Sequence, residues 1–374
     1  MNEQLRRLFP VTDEYAYLNH AAVSAPPTPV TDAVLSQISD VQKHGVSNYK
    51  KWIATKDRAR RGVAALLKAE PEQVAFMRNT SDGISTIANG LKWQEGDNIV
   101  TFRREFPSNI YPWLRIRDNF GVEVRMCDEH GGRIDLNELI ELIDGRTRVV
   151  ALSSVQYGSG FKADLERIGR ACRKHDALFV VDSIQSLGVV PMDVNAQFVD
   201  AAAGACHKWL LTPEGIGYLY LSDRARDRLE PTLVGWISVE DPEDYNNFDQ
   251  KWKTGALAWE TGTGPSSLFY GLDAGLKILE STGIDSIHLY LGDLTDYLCD
   301  ILAIKGYEVI SSRNSAEKSQ IVCLNPKPGW TAMSLYIHLR QKKIIAAPRG
   351  QRLRISPHFY NNTGDIDRLM DALP

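Results

Sequence analysis

Clusters of apolar residues bounded by turn-forming residues alternate along the chain with stretches whose apolar positions recur every three to four residues. Residues 149–155 read as a buried strand, 164–175 as an amphipathic helix and 177–182 as a second buried strand. Such a βαβ unit closes with a right-handed crossover, which implies a parallel sheet with helices on its faces. Residues 200–205 and 216–221 add two more strands, so the first half reads as a large α/β domain. From 233 to 265 the periodicity disappears into a stretch mixing aromatic, acidic and glycine residues (LVGWISVEDPEDYNNFDQKWKTGALAWETGTGP). Loops that long inside a compact domain are uncommon and usually functional or mobile. Beyond it, helices are expected at 266–282, 285–304 and 331–342, and short strands at 307–310, 320–324 and 352–356. A terminal helix starts near Thr363, a good N-cap residue. The expected organisation is a large domain over 19–265 and a smaller α+β domain over 266–374, joined by residues 1–18. No internal repeat is evident.

Composition narrows the classes of function. A chain of 374 residues holds two domains and a large core, and 43% hydrophobic with 24% charged residues is ordinary for a soluble globular protein. Lys and Arg number 43 against 47 Asp and Glu, a net charge of −4 without dense charge runs, so neither nucleic acid nor an anionic membrane is an expected partner. The five cysteines are odd in number and form no C-x-x-C pair, which suggests neither a disulfide framework nor a zinc site, and no metal is expected. The opening MNEQLRRLFPVTDEY has no apolar segment behind its basic residues, and no run approaches the roughly 18 apolar residues of a membrane span. A reduced, cytoplasmic protein is the expectation.

The densest chemical signal is FVVDSIQSLGVVPMDVNAQFVDAAAGACHKWLLTPEGIG. Asp182 ends a buried parallel strand, where open α/β sheets place their ligands. A carboxylate there is costly unless it meets a cation or several donors. Lys208 follows the small-residue strand and stands between His207 and Trp209-Leu210-Leu211; desolvation in such a setting lowers an amine's pKa and suits Schiff-base chemistry. Taken singly, Asp182 reads as a strand-end cap and Lys208 as a solvated amine; with Gln185 and His207 between them the pair is harder to dismiss. A second signal is Asn79-Thr80-Ser81-Asp82-Gly83 before an apolar helical run. Small hydroxyl residues at a helix start leave backbone N–H groups free for a phosphate, although on this segment alone ordinary N-capping by Thr80 or Ser81 is the favoured reading. It is neither a P-loop nor a G-x-G-x-x-G fingerprint. A third is Arg354 in RLRISPHFYNNTGD, alternating with Leu353 and Ile355, whose fork suits a carboxylate or an internal salt bridge.

These pieces together resemble the class V branch of the fold-type I pyridoxal-phosphate enzymes: class V aminotransferases, cysteine desulfurases, selenocysteine lyases and isopenicillin N epimerase-like proteins. The resemblance runs from YLNHAAVSAPP through FMRNTSDGIS, REFPSNIYPW, VVDSIQSLGVVPMDV, GACHKWLLTPEGIGYLY and WETGT to LRISPHFYN. It implies an α/β fold with a mostly parallel, seven-stranded type of sheet in the large domain, and pyridoxal 5′-phosphate as cofactor. Lys208 would carry the cofactor and move protons at the substrate Cα, and Asp182 would pair with the pyridinium nitrogen. Gln185 would meet the ring's phenolic oxygen, with Gln156 near the same oxygen side, and Thr80, Ser81 and His207 would hold the phosphate. Phe106 falls where the family stacks a ring on the cofactor. Thr263 resembles the residue that reaches the neighbouring subunit's phosphate, which implies a homodimer with composite sites. Arg354 resembles the grip on the α-carboxylate, with Asn19 and His20 near the substrate.

Two departures shape the functional expectation. Desulfurases carry a nucleophilic cysteine shortly before the carboxylate-binding arginine, and KKIIAAPRGQRLR contains none; Cys323, the nearest upstream, lies in an apolar strand-like run. Desulfurases also usually place histidine where this chain has Phe106. An aminotransferase or an isopenicillin N epimerase-like enzyme acting on an amino acid is therefore the leading expectation. A carbon–sulfur lyase or desulfurase-like enzyme is the alternative, and a non-catalytic binding protein on the same fold a remote one.

Overall fold

The computed structural model describes residues 3–374. Seven strands form the central sheet: β1 (Val74–Met77), β2 (Asn98–Phe102), β3 (Glu123–Cys127), β4 (Thr147–Ser153), β5 (Leu178–Asp182), β6 (Ala201–Ala205) and β7 (Gly217–Leu221), in the order β1-β7-β6-β5-β4-β2-β3. Only β7 runs against its neighbours. The sheet is mostly parallel, as expected.

Strand periodicity sorts the core into two layers. In β5, Phe179 and Val181 join one hydrophobic cluster while Leu178 and Val180 join the other. Against the second face lie helices α3 (Thr80–Gly90) and α4 (Tyr111–Phe120), through Ile84, Ile87, Ala88, Trp113 and Ile116. The first face takes residues from α2 (Tyr49–Leu67), which follows α1 (Thr28–His44), and from α5 (Leu165–Lys174), which Asp164 caps by accepting the Arg167 N–H. Helix α6 (Ser266–Thr282) joins this layer as well: Phe269, Leu272, Leu276 and Leu279 belong to its core, and Val30 and Val34 of α1 meet Gly271 of α6. A sequence-based boundary at 265/266 therefore separates α6 from the core that buries it. An amphipathic pattern says that a helix has an apolar face, not which layer receives it.

The remaining chain builds a four-stranded antiparallel sheet from β8 (Glu308–Val309), β9 (Val322–Asn325), β10 (Ala347–Arg349) and β11 (Arg352–Ile355), ordered β8-β9-β11-β10. Helices α7 (Ile284–Ile304), α8 (Ala332–Gln341) and α9 (Thr363–Ala372) pack with it around a third cluster, which Ala16 and Leu18 also enter. Ala16–Tyr17 pairs in parallel with Ile344–Ile345, tying the N-terminal segment to this part. The cap of α9 is Asn362, not Thr363: its side chain accepts the Asp365 N–H while Asp365 reaches back, a capping box one residue earlier than expected.

The irregular 233–265 stretch contains one 3-10 turn, Gly255–Trp259, and Glu260 anchors it. The Glu260 carboxylate accepts from Arg60 at 2.7 Å and from the Phe76 amide at 2.8 Å, and also pairs with Lys56. Burial opposes its ionisation, yet Arg60 and Lys56 hold it down to about 2. Among the described residues no helix is long and apolar enough to cross a membrane.

Candidate active site

The parallel strands deliver their last residues to one edge of the sheet. Asp182 closes β5, Lys208 follows β6 by three residues, Thr80 opens α3 after β1, and Glu105 and Phe106 follow β2. Small residues on β6 bring α3 close, for a Cβ on Gly83 would lie 2.8 Å from the Ala203 Cβ. The α3 cap is Asn79, whose side chain accepts the Asp82 N–H at 3.0 Å. That choice leaves Thr80 uncommitted, and its buried Oγ1 has no hydrogen-bond partner among the described residues. Ser81 is exposed and donates to Ser108 Oγ at 2.7 Å.

A cavity of about 340 Å³ is lined by Thr80, Ser81, Phe106, Gln185, His207, Lys208 and Arg354, and also by Tyr157 and Arg349. Seven of the twelve residues singled out from sequence thus meet in one place. Beneath Lys208, Asp182 is 1% exposed; its Oδ1 accepts the Ile184 N–H at 3.0 Å, and its buried Oδ2 has no partner. Burial pushes the Asp182 carboxyl up, and neighbouring Glu105 pushes the same way against the Lys208 cation. Burial pushes the Lys208 amine down, aided by Arg354 and Arg349 and opposed by Asp182. Its ammonium lies 5.7 Å from the centre of the Phe106 ring. Burial also lowers His207, with the Lys208 charge adding to it. Gln185 spans two segments, accepting from Trp209 Nε1 at 2.9 Å and donating one Nε2 hydrogen to the Ala21 carbonyl at 3.1 Å; the other Nε2 hydrogen has no acceptor among the described residues.

Arg354 is 1% exposed and forms no ion pair among the described residues. One terminal nitrogen donates to the Tyr157 carbonyl at 3.2 Å, the other reaches Asn19 Oδ1 at 3.4 Å, and its buried Nε donates to nothing. A guanidinium that stays charged and buried without a carboxylate is costly, so an anion belongs beside it. Asn19 meets Arg354 and does not line the cavity.

Three expected positions fall elsewhere. His20 is fully buried behind Lys208, with Nε2 against the Lys208 carbonyl at 3.0 Å and Nδ1 against the Tyr360 hydroxyl at 3.2 Å. Burial takes it down to about 3, and it does not line the Lys208 cavity. Gln156 is buried and donates to Glu105 at 2.6 Å, bordering a neighbouring cavity. Thr263 is exposed in the irregular stretch and lines none of the Lys208 cavity within the same chain.

Sequence reasoning missed Glu105. It is buried and accepts the Ser153 N–H at 2.7 Å, the Ser153 hydroxyl and the Gln156 amide, which ties the ends of β2 and β4 together under the site. Burial raises its carboxyl. Its only sequence signal was its place beside Phe106.

The chain matches the family described as Aminotransferase class-V over residues 16–369. It belongs to the class V aminotransferase family. A protein of Methanothermobacter thermautotrophicus named "Probable cysteine desulfurase" is 30% identical, the match covering 99% of this chain and 97% of that one. Bacillus subtilis has a relative named "Uncharacterized aminotransferase YcbU", 26% identical over 99% and 97% of the two chains. The apo structure of a cysteine desulfurase from Thermococcus onnurineus superposes with a TM-score of 0.89 at 25% identity, covering 99% of this chain and 97% of that one. This class V protein is a pyridoxal-phosphate-dependent enzyme of fold type I. The orphaned Asp182 Oδ2 and Thr80 Oγ1 fit that cofactor: one is an acceptor for a ring N–H, the other a donor for a phosphate at a helix start.

Proposed function

We propose that this class V enzyme activates the Cα–H bond of an amino acid and transfers the amino group to a keto acid. The reading rests above all on one observation: Arg354, buried without a counter-ion, opens into the same cavity as the desolvated Lys208. Arg354 takes the substrate α-carboxylate in two donated bonds, and Asn19 keeps its fork in register. Bound pyridoxal phosphate supplies an electron sink conjugated with Cα. Lys208 would hold the cofactor and, as a base whose lowered pKa keeps part of it unprotonated near neutrality, would accept and return the proton at the substrate Cα. Asp182 would accept the ring N–H through its unpartnered Oδ2. Thr80, Ser81 and His207 would hold the phosphate, Gln185 would turn its free N–H to the phenolic oxygen, and Phe106 would cover the ring.

A persulfide on the protein's own cysteine, as a desulfurase forms, is disfavoured: it requires an accessible thiolate, and all five cysteines are buried. Cys323 sits opposite Arg354 in the β9–β11 pairing, where burial holds its thiol up at about 11. Five free thiols fit a reducing compartment, the cytoplasm. The proposal includes a homodimer in which Thr263 reaches the second copy's phosphate site. Exposed Leu233, Trp236, Tyr245, Phe248 and Trp252 on the same irregular stretch support it.

Proton NMR in heavy water, with an amino-acid panel and with or without a keto-acid acceptor, tests the reading. Loss of the Cα signal together with a new amino acid made from the acceptor is expected. Exchange without transfer would make the enzyme an epimerase, and keto acid formed without an acceptor a lyase.

A further inference from the structure

The β10–β11 hairpin pairs Ala347 with Arg354 and Arg349 with Arg352. Opposed residues share a face and so do alternate ones, which places Arg349, Arg352 and Arg354 together on one side of the sheet. Their charges are handled differently. Arg352 is neutralised by Glu129 through two bonds, at 2.5 and 3.1 Å. Among the described residues Arg354 has no carboxylate. Neither does Arg349, whose guanidinium is half-buried and donates only to the carbonyl of its neighbour Pro348, at 2.7 Å. Arg349 stands where the Lys208 cavity meets a second cavity of about 660 Å³, and it lines both.

The acids nearby are committed. Glu129 faces Arg352 and, at 3.8 Å, Arg104; Glu105 is buried under Ser153 and Gln156; Asp182 lies beneath Lys208. Two guanidinium groups on one sheet face therefore share a cavity without a counter-ion among the described residues; burial weakens the hold of each on its proton, and Arg349 weakens that of Arg354 further. One α-carboxylate neutralises the deeper Arg354. Arg349 remains at the mouth, with space beyond it for whatever extends from Cα.

We propose that Arg349 binds a second anionic group carried by the substrate's side chain, so that the site takes amino acids with anionic side chains, an α,ω-dicarboxylic amino acid being the simplest. This rests on the proposed function for the assignment of Arg354 to the α-carboxylate. It makes Arg349 a specificity residue, reading the side chain by charge and not by apolar fit.

Calorimetric titration of the holoenzyme with succinate and glutarate, against butyrate and valerate, tests this without any reaction, because none of these ligands carries an amino group. The dicarboxylates are expected to bind roughly tenfold to a hundredfold tighter, the range of one charge-assisted hydrogen bond. In Arg349→Gln that ratio should collapse toward one, and in Arg349→Lys, which keeps the charge but loses the fork, it should be partly retained. Equal binding of both classes, no binding of either, or a ratio that persists in Arg349→Gln would each overturn the proposal. A preference that survives with no amino transfer to any acceptor would instead sink the transamination reading and leave the two-anion site standing.

Discussion

Replacing Asp182 by Asn separates catalysis from folding. Oδ1 already accepts the Ile184 N–H at 3.0 Å and an asparagine oxygen keeps that bond. What changes is the buried, unpartnered Oδ2, which becomes an amide nitrogen unable to accept the ring N–H. One charge-assisted hydrogen bond is worth about 1.5–3 kcal/mol, so cofactor affinity should fall roughly tenfold to a hundredfold. Cα–H exchange should fall further, by about a hundredfold or more at saturating cofactor, because the protonated ring nitrogen is what draws electrons from Cα. Stability should move the other way. The raised Asp182 carboxyl favours folding below the ordinary carboxylate range, and that contribution is lost as pH rises through its folded-state value. A side chain that cannot ionise escapes this loss, so the cofactor-free variant should be at least as stable as the parent above pH ~7. Exchange is read by proton NMR in heavy water, affinity by cofactor absorbance and stability by denaturant unfolding. Exchange within about threefold of the parent would refute the electron-sink role; a parallel collapse of stability would mean that Asp182 is structural.

Other consequences are equally direct. Arg354→Gln should raise KM for an α-amino acid by about tenfold to a hundredfold in initial-rate kinetics, with cofactor absorbance retained; an unchanged KM would remove Arg354 from the carboxylate. Glu260 is held down to about 2 from an ordinary 4.5, so it contributes stability above pH 4.5 that is lost as pH falls toward 2. At about 1.4 kcal/mol per pKa unit this is roughly 3 kcal/mol, and Glu260→Gln should abolish that part of the acid sensitivity in unfolding curves. Cys323→Ser should leave amino transfer within about twofold, since the thiol is buried in strand β9; loss of turnover would reopen sulfur chemistry.

Much of the machinery was legible because it follows from strand ends. The 164–175 amphipathic run matched helix α5 with Asp164 as its cap, and its βαβ unit placed Asp182 at a carboxyl edge. Lys208 followed from the small-residue strand before it. What stayed hidden depends on contacts distant along the chain. Glu105 has no local pattern, and only its bonds to Ser153 and Gln156 reveal a buried carboxylate. His20 is set against Tyr360, 340 positions away, and so reads locally like any histidine beside an asparagine. Asn79 and Thr80 are both acceptable caps by residue type, and only the Asp82 N–H decides between them. Arg349 gained meaning from its hairpin register and from the absence of an acid facing it.

The central claim is that the amine of Lys208 holds pyridoxal phosphate in this cavity. Borohydride reduction of the holoenzyme, followed by proteolysis and mass spectrometry of the peptides, tests it most directly. The account predicts a phosphopyridoxyl group on Lys208 and, in Lys208→Ala, none at that position. A modified lysine elsewhere, or no modified peptide from cofactor-saturated protein, would contradict it.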